Sequence, residues 1–316
     1  IIRINKIRKI IMNERVVVFG GSGFLGSHVS DYLTDSGYSV LIYDLNKSKY
    51  LKQNQEMVIG DILDKELIQS TIKGCKYVFH FAAVADIKEA QENPVKTVEV
   101  NILSTAYILD ACRKHNVSRF LFGSTIYVYS NYGSFYRSSK QACELIIENY
   151  HDIYNIDYTI LRYGSLYGPR ANKFNLINKV ITQALKDKKI TREGNGQELR
   201  EYIHVKDAAK ASVKMLDDGY SNSNIMITGI QAMRIRDFFV MVNEIFENKI
   251  EIEYLDSKEL DKHYNITPYT FKPKVATRYQ LKNYHDLGQG VLDQIHEIYE
   301  NLLANGEIEK SNPFTK

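Results

Sequence analysis

Short apolar runs rich in β-branched residues alternate with segments of helical periodicity from residue 15 onward. This alternation is typical of βαβ units and predicts an α/β fold, a doubly wound parallel sheet, in the first half of the chain. Pro94 stands where a first-turn proline belongs, at the start of a long helix predicted over residues 94–115. A second long helix is predicted over residues 138–154. The predicted strands cover residues 15–19, 38–43, 57–59, 77–81, 119–122 and 157–162.

Beyond Arg162 the alternation breaks down, which predicts a smaller second lobe. A helix is predicted near residues 175–188, a turn at Gly194-Asn195-Gly196, and a helix over residues 205–216. Residues 250–289 have poor periodicity and are predicted to form loops of this lobe. The expected domains are 12–165, with 199–228 returning to it, and a substrate-binding lobe of 166–198 and 229–316.

Composition narrows the classes of protein that need consideration. Of the 316 residues, 25% are charged and 44% hydrophobic, and the formal net charge is +3. These values are typical of a globular protein, and so small a charge favours neither a nucleic-acid nor a membrane partner. The basic, apolar residues 1–11 are too short to span a membrane and lack a cleavage site, so they are expected to be an extension or a frayed terminus.

The cysteines give no sign of a metal site. Cys75, Cys112 and Cys143 lack the paired spacing of zinc ligands or of a disulfide framework. They are therefore expected to be buried thiols in a reducing compartment, which predicts a cytoplasmic protein without a bound metal.

A glycine-rich loop follows the first strand directly and leads into a helical pattern. Small residues let such a turn approach a pyrophosphate, whose charge is stabilised by free N–H groups and by the helix dipole. The alternative is a tight turn with close helix packing. The strand before the loop and the helix after it favour a dinucleotide site. The residues assigned to the loop are Gly20, Gly23, Phe24, Leu25 and Gly26.

Two acidic residues at strand ends are candidates for contacts with the rest of a dinucleotide. Asp44 lies 18 positions after Gly26, where a carboxylate accepts both ribose hydroxyls of NAD and repels a 2′-phosphate. A solvated turn aspartate is the alternative, and Lys47 and Lys49 leave NADP open. Asp61, with Ile62 beside it, is a candidate adenine contact, and capping of the following helix is its alternative.

Tyr136 and Lys140 stand four residues apart, which places a phenol and an ammonium on one face of a helix. A nearby positive charge lowers the pKa of a tyrosine, which is otherwise a poor base near neutral pH. Ser124 and Thr125 end the fifth predicted strand, at the sheet edge where doubly wound folds bind ligands. There a hydroxyl can bind the substrate oxygen that the tyrosine deprotonates. An exposed helical pair and a strand-end cap are the alternatives.

These motifs resemble the NAD-dependent epimerase/dehydratase branch of the extended short-chain dehydrogenase/reductases, and in particular UDP-glucose 4-epimerases. The resemblance covers residue 15 to about residue 230. Besides the motifs above, it rests on the segments His80-Phe81-Ala82-Ala83, Val100-Asn101-Ile102-Leu103-Ser104-Thr105, Leu161-Arg162-Tyr163-Gly164-Ser165-Leu166-Tyr167-Gly168-Pro169-Arg170 and Arg200-Glu201-Tyr202-Ile203-His204-Val205-Lys206-Asp207.

The resemblance implies an enzyme with a Rossmann domain that uses NAD on a nucleotide-diphosphate sugar. Tyr136 would be the general base or acid, and Lys140 would lower its pKa and hold the nicotinamide ribose. Thr125, with Ser124 beside it, would bind the reacting sugar oxygen, and Arg200 would bind the diphosphate. An exposed ion pair with Glu201 is the alternative for Arg200. Further cofactor contacts would come from Phe81, Ala82, Ala83, Asn101 and Tyr163.

Departures from the family pattern narrow the reaction. Members that eliminate water or carbon dioxide carry an acidic residue just after the hydroxyl position, where this chain has Ile126 and Tyr127. A 4-epimerase is therefore predicted, and dehydratase and decarboxylase are disfavoured. The connection from Thr125 to Tyr136 is short, which predicts an open pocket. Ser165 stands where the family often has a phosphate-binding asparagine, and residues 263–287 do not match the usual epimerase ending.

Two other functions stay open at this point. A reductase of a nucleotide-linked 4-keto sugar would use the same residues once and consume reduced cofactor. A non-catalytic NAD-binding regulatory protein would use the fold alone, although it need not retain Thr125, Tyr136 and Lys140 together. The resemblance also implies a homodimer in which helices 94–115 and 138–154 pair across a two-fold axis. Packing of both helices on the sheet is the alternative.

Overall fold

A computed structural model describes residues 14–230, 232–256 and 277–308. The predicted extension at residues 1–11 lies outside this described part, as do residues 263–276 of the unmatched C-terminal segment. Within the described part, no helix has the length and apolarity needed to cross a membrane. All three cysteines are buried and free, as predicted.

The centre of the molecule is an eight-stranded sheet in which every paired strand runs parallel. The strand order is β3-β2-β1-β4-β5-β6-β10-β13, and the chain reverses direction across the sheet between β1 and β4. This confirms the predicted doubly wound parallel sheet. The strands are β1 (Arg15–Phe19), β2 (Ser39–Asp44), β3 (Gln55–Ile59), β4 (Tyr77–His80), β5 (Arg119–Thr125), β6 (Tyr158–Tyr163), β10 (Ser223–Ile227) and β13 (Thr277–Arg278).

Helices cover both faces of the sheet, because its central strands are apolar on both sides. On one face, α1 (Phe24–Asp35) and α8 (Val205–Lys214) pack together over Val16 and Val18. The opposite face carries the helices that enclose Phe19, Phe120 and Phe122. These are α2 (Lys65–Ile72), a continuous helical run over residues 94–114, and α6 (Ser134–Tyr154). The run consists of α4 (Pro94–Thr97), a π-helical turn (Val98–Leu103) and α5 (Ser104–Lys114). The short helix α3 (Ile87–Glu92) precedes the run.

The smaller lobe has its own apolar core, which includes Ile181, Phe238, Phe239 and Ile295. One small sheet joins β7, β9 and β11, and another pairs β8 with β12. The helices of this lobe pack around these strands. The elements are β7 (Ser165–Tyr167), α7 (Leu176–Asp187), β8 (Lys189–Glu193), β9 (Leu199–His204), β11 (Ala232–Arg234), α9 (Ile235–Ile245), β12 (Glu251–Leu255) and α10 (Leu287–Ala304).

The prediction of loops over residues 250–289 is wrong for residues 251–255, 277–278 and 287–289, whereas residues 279–286 form a loop. Residues 251–255 form β12, which pairs in parallel with β8, and residues 277–278 form β13 at the edge of the large sheet. Both strands form by pairing with strands that are distant in the sequence, and the periodicity of the local sequence does not reveal such pairing. Helix α10 also begins within this range, at Leu287.

Two elements at the carboxyl end of the central strands are longer than the ranges 119–122 and 138–154 predicted for them. Strand β5 continues through Gly123, Ser124 and Thr125, which are all buried and pair in register with β6. Helix α6 begins at Ser134 instead of residue 138. Its early turns are held by tertiary hydrogen bonds, since Arg137 donates to the Ser130 carbonyl at 2.8 Å and Gln141 to the Val128 carbonyl at 2.8 Å. Tyr136 therefore lies in the first turn of α6.

Candidate active site

A cavity of about 580 Å³ opens at the carboxyl ends of the central strands, where the strand order reverses. Doubly wound folds bind their ligands at this position. Asp44, Asp61, Ile62, Ala82 and Asn101 lie outside its lining. The cavity is lined by these predicted residues: Gly20, Gly23, Phe24, Leu25, Gly26, Phe81, Ala83, Ser124, Thr125, Tyr136, Lys140, Tyr163, Ser165 and Arg200.

The glycine loop forms one wall of the cavity and fits a diphosphate. Gly20 has a φ of +79°, and a Cβ there would lie 2.6 Å from the Ala82 nitrogen. A Cβ on Gly26 would lie 2.1 Å from the Gly20 carbonyl oxygen, so this glycine brings α1 close to the turn. Gly23 is the N-cap of α1. Because glycine has no side chain to cap the helix, N–H groups of the first turn remain available at the cavity.

Asp44 lies beside this loop at the end of β2. Its carboxylate accepts hydrogen bonds from the Ser22 N–H at 3.0 Å and from the Asn46 N–H at 3.1 Å. These bonds fix the orientation of the carboxylate and leave each oxygen a second lone pair for a ribose hydroxyl. The contact of Asp44 with the cofactor stays a prediction.

Asp61 does not cap the helix that follows it. Asp64 is the N-cap of α2 and accepts from the Leu67 N–H at 2.9 Å, whereas Asp61 is exposed and accepts from the Leu63 N–H at 2.9 Å. The capping interpretation of Asp61 is therefore wrong, and its adenine contact is untested. Ile62 is partly buried and packs against the core beneath it.

Asn101 lies behind the cavity, in the π-helical turn between α4 and α5. Its side-chain oxygen accepts from the Val84 N–H at 2.7 Å, and its side-chain nitrogen donates to the Val84 carbonyl at 3.1 Å and to the Ser139 hydroxyl at 2.9 Å. These bonds tie the loop after β4 to the early turns of α6. In this structure Asn101 supports the cavity wall that contains Ala83.

Thr125 and Tyr136 are brought together at the centre of the cavity. The Thr125 hydroxyl accepts from the Tyr127 N–H at 3.2 Å and is hydrogen-bonded to the Tyr136 side chain. Lys140 lies one turn along α6, with its ammonium 5.9 Å from the centre of the Tyr136 ring. The ammonium is buried and donates to the Gly123 carbonyl at 2.7 Å. A phenol, a hydroxyl and an ammonium thus converge as the sequence predicts.

Burial sets the acid–base properties of these two side chains. Burial raises the pKa of the Tyr136 phenol to about 12, and the hydrogen bond with Thr125 opposes this rise. Burial also lowers the pKa of Lys140 to about 8, and electrostatic interactions with Cys143 and then with Glu144 oppose this fall. The predicted lowering of the Tyr136 pKa by Lys140 is not among these effects and stays a prediction.

The other end of the cavity is basic and lies in the smaller lobe. Arg200 and Glu201 are both buried, so an exposed ion pair between them is wrong. Glu201 pairs with Arg278 at 3.1 Å. Lys179 and Arg192, which the sequence did not single out, also line the cavity, and Arg192 pairs with Glu198 at 2.7 Å. Among the described residues that line the cavity, none is an aspartate or a glutamate. The arrangement suits an anionic ligand such as a diphosphate.

The fold and the glycine loop define a dinucleotide-binding enzyme, and a tyrosine, a lysine and a threonine line its cavity. Residues 16–227 match the model of the NAD dependent epimerase/dehydratase family. The chain belongs to this family, and NAD is its cofactor. Within the described residues, no group of three or more His, Cys, Asp or Glu side chains is placed to hold a metal ion.

Similar proteins include several members that act on nucleotide sugars. The chain is 32% identical over 223 residues to a provisionally named UDP-glucose 4-epimerase of Methanocaldococcus jannaschii, covering 64% of this chain and 73% of that protein. It is 27% identical over 300 residues to the UDP-N-acetyl-alpha-D-glucosaminuronate decarboxylase of Bacillus cytotoxicus, covering 87% and 93%. With the family match, these proteins place the chain in a family of nucleotide-sugar epimerases and dehydratases that also includes a decarboxylase.

The fold of this chain is similar to that of a solved nucleotide-sugar epimerase structure. A UDP-N-acetylglucosamine 4-epimerase from Methanobrevibacter ruminantium, solved with UDP-N-acetylmuramic acid, superposes with a TM-score of 0.80 at 24% identity. The similarity covers 92% of this chain and 99% of that one. Both the large sheet and the smaller lobe therefore follow an architecture known for enzymes of this type.

Proposed function

We propose that this protein is a nucleotide-sugar 4-epimerase that acts through a transient 4-keto sugar. The observation that carries the proposal is the convergence of Thr125, Tyr136 and Lys140 in a cavity whose described lining contains no acidic side chain. Elimination of water would need a further acid, and Ile126 and Tyr127 occupy the positions where the family's dehydratases and decarboxylases carry one. Oxidation followed by reduction at the same carbon needs no such acid.

In the proposed mechanism, one proton passes between the sugar and Tyr136. Tyr136 takes the proton of the hydroxyl on carbon 4 and later returns it, while the Thr125 hydroxyl holds the same sugar oxygen. The N–H of Tyr127 keeps the Thr125 oxygen in place. Lys140 contributes a buried positive charge that favours the phenolate. When bound, NAD would supply the hydride acceptor for the oxidation at carbon 4 and, once reduced, the hydride donor for the reduction.

The remaining predicted residues fit the two ends of the substrate and cofactor. The N–H groups of the glycine loop and Arg200 would bind the two diphosphates, and Asp44 would accept the ribose hydroxyls of NAD. Ser165 lines the same cavity as Arg200, which supports a role as a further phosphate contact. Phe81, Ala83 and Tyr163 would form the wall against the nicotinamide.

Conversion of a substrate panel tests the proposed activity. We expect NMR to show a carbon-4 epimer when nucleotide hexoses and N-acetylhexosamines are incubated with the protein and NAD, with no net change in NAD. Consumption of reduced cofactor with a 4-keto sugar, and no epimer in the panel, would support the reductase instead. NAD binding without conversion of either kind of substrate would favour the regulatory protein.

We also propose a homodimer formed by the helical run 94–114 and α6. Both carry buried apolar side chains that pack on the sheet, such as Ile108 and Ile147. Both also expose a second apolar set, whose members are Val95, Val98, Leu103, Leu145 and Ile153. Exposed apolar side chains grouped on adjacent helices are typical of a protein interface.

Sedimentation measures the state of assembly. We expect the wild type to sediment as a dimer and Leu145→Glu as a monomer, because a carboxylate buried in an apolar interface costs several kcal/mol. Val240 on α9 is similarly exposed but lies in the other lobe, so Val240→Glu should remain dimeric. A monomeric wild type at high concentration would contradict the proposal.

A further inference from the structure

A buried ion pair lies directly behind the reaction centre. Arg162 on β6 donates to both oxygens of Glu144 on α6, at 3.0 Å and 2.7 Å, and the two side chains are 2% and 7% exposed. Ser124 donates its hydroxyl proton to the same carboxylate at 2.6 Å. The remaining nitrogen of the Arg162 fork donates to the Tyr129 hydroxyl.

This network joins the segments that carry the reacting groups. Glu144 lies one helical turn beyond Lys140 on α6. Ser124 precedes Thr125 at the end of β5, and Arg162 pairs in register with Ser124 and precedes Tyr163. Tyr129 ends the 3₁₀ turn of Ile126–Tyr129, which begins immediately after Thr125. Four segments are therefore fixed relative to one another by a single carboxylate and a single guanidinium.

The Glu144–Arg162 ion pair is better suited to positioning the active-site groups than to stabilising the fold. Removing two charges from water costs much of what their attraction returns, so an apolar pair of similar volume would stabilise the fold as well. A bidentate guanidinium and carboxylate, however, have one preferred geometry. Catalytic groups need a precisely fixed position, because a shift of about 1 Å in a reacting group can slow turnover about a hundredfold.

We propose that Glu144 and Arg162 form the positioning element of the active site, and that Ser124 serves this element instead of the substrate. Glu144 holds Thr125 in place through Ser124, and it supports the charge of Lys140 from one turn away. The role of Thr125 in this proposal rests on the proposed function, whereas the effect on Lys140 does not.

Glu144→Gln tests the proposal because glutamine keeps the shape and loses the charge. Cys143 and then Glu144 raise the pKa of Lys140, and His80 and Tyr136 are the other titratable groups that face it. Loss of the Glu144 charge should therefore lower that pKa further. By the family resemblance Lys140 holds the nicotinamide ribose, so NAD affinity should follow its charge. We expect the alkaline limit of NAD affinity, measured by calorimetry over about pH 6 to 10, to move down by about one pH unit. We expect turnover to fall about a hundredfold. The calorimetric result needs no sugar substrate, so it stands even if the proposed epimerisation fails.

Arg119→Met is the matched control. Arg119 is also buried and lies at the opposite end of β5, where it donates to the carbonyls of Met215 and Asp217 at 3.1 Å and 2.9 Å. Its loss should lower the melting temperature without moving the pH profile of NAD affinity or the turnover. A Glu144→Gln protein with a wild-type pH profile and turnover would overturn the proposal, as would an equal shift in Arg119→Met.

If Glu144→Gln does not fold, Ser124→Ala tests the same proposed positioning role. It removes one hydrogen bond from the carboxylate and leaves the ion pair intact. We expect NAD affinity to remain at the wild-type value and turnover to fall about tenfold to a hundredfold. Wild-type turnover would overturn the proposal. A loss as large as that of Tyr136→Phe would also overturn it, because Ser124 would then contact the reacting sugar.

Discussion

Replacing Tyr136 with phenylalanine is expected to lower turnover by about a thousandfold, as is typical when a general acid or base is lost. The phenol is the group in the described cavity that is placed to take a proton beside Thr125. Its ring can remain in place without the hydroxyl, so NAD affinity should stay within about twofold of the wild type. Steady-state conversion of the nucleotide sugar and calorimetry of NAD binding measure the two quantities.

Tyr132→Phe is the matched control for this variant. Tyr132 lies in the connection just before α6 and is exposed, and it does not line the cavity. Loss of its hydroxyl should leave both turnover and NAD affinity unchanged. If Tyr136→Phe kept its biological activity while binding NAD normally, the enzyme mechanism proposed for Tyr136 would be wrong and a binding role would be favoured.

Replacing Gly26 with alanine is expected to impair both folding and cofactor binding. The added Cβ would lie 2.1 Å from the Gly20 carbonyl oxygen, a backbone atom that cannot rotate away as a side chain can. Either α1 or the glycine loop must move, which costs about 3 kcal/mol of unfolding free energy by analogy with overpacked cores. Because the same loop forms the diphosphate wall, we expect NAD affinity to fall at least about tenfold, which corresponds to about 1.4 kcal/mol.

Gly219→Ala separates this clash from a general effect of alanine. A Cβ on Gly219 would meet no atom within 4 Å, and its φ is not in the left-handed region. Its free energy of unfolding should change by no more than about 0.5 kcal/mol, and NAD affinity should not change. Urea unfolding and calorimetry measure both. A Gly26→Ala protein as stable as Gly219→Ala would contradict the close packing of α1 on the loop.

The central sheet was the most predictable part of the fold. Strands such as β1 and β2 contain continuous apolar runs because helices bury both of their faces, so local sequence carries most of the information. The glycine loop was equally accessible, since its function depends on small residues at fixed spacing between a strand and a helix. Strand β12 was not, because its pairing with β8 depends on the fold of the smaller lobe.

The candidate site was predictable where its groups share one element. Tyr136 and Lys140 lie one turn apart on α6, and Ser124 and Thr125 end one strand, so spacing alone relates them. Glu144 and Arg162 were missed as a pair because 18 residues separate them in the chain. A charged residue within the buried run of β6 was the available signal, since such a charge needs a partner.

By itself, the sequence determined the doubly wound sheet, the dinucleotide loop and the types of side chain at the reaction centre, because periodicity and short spacing encode each of them. The tertiary structure alone decided how those side chains are oriented. It directed Ser124 to Glu144, placed Asn101 behind the cavity wall, and brought Lys179 and Arg192 to the cavity that Arg200 also lines. The physical reason is that hydrogen bonds and ion pairs between distant segments depend on angles and distances that exist only after the elements have packed.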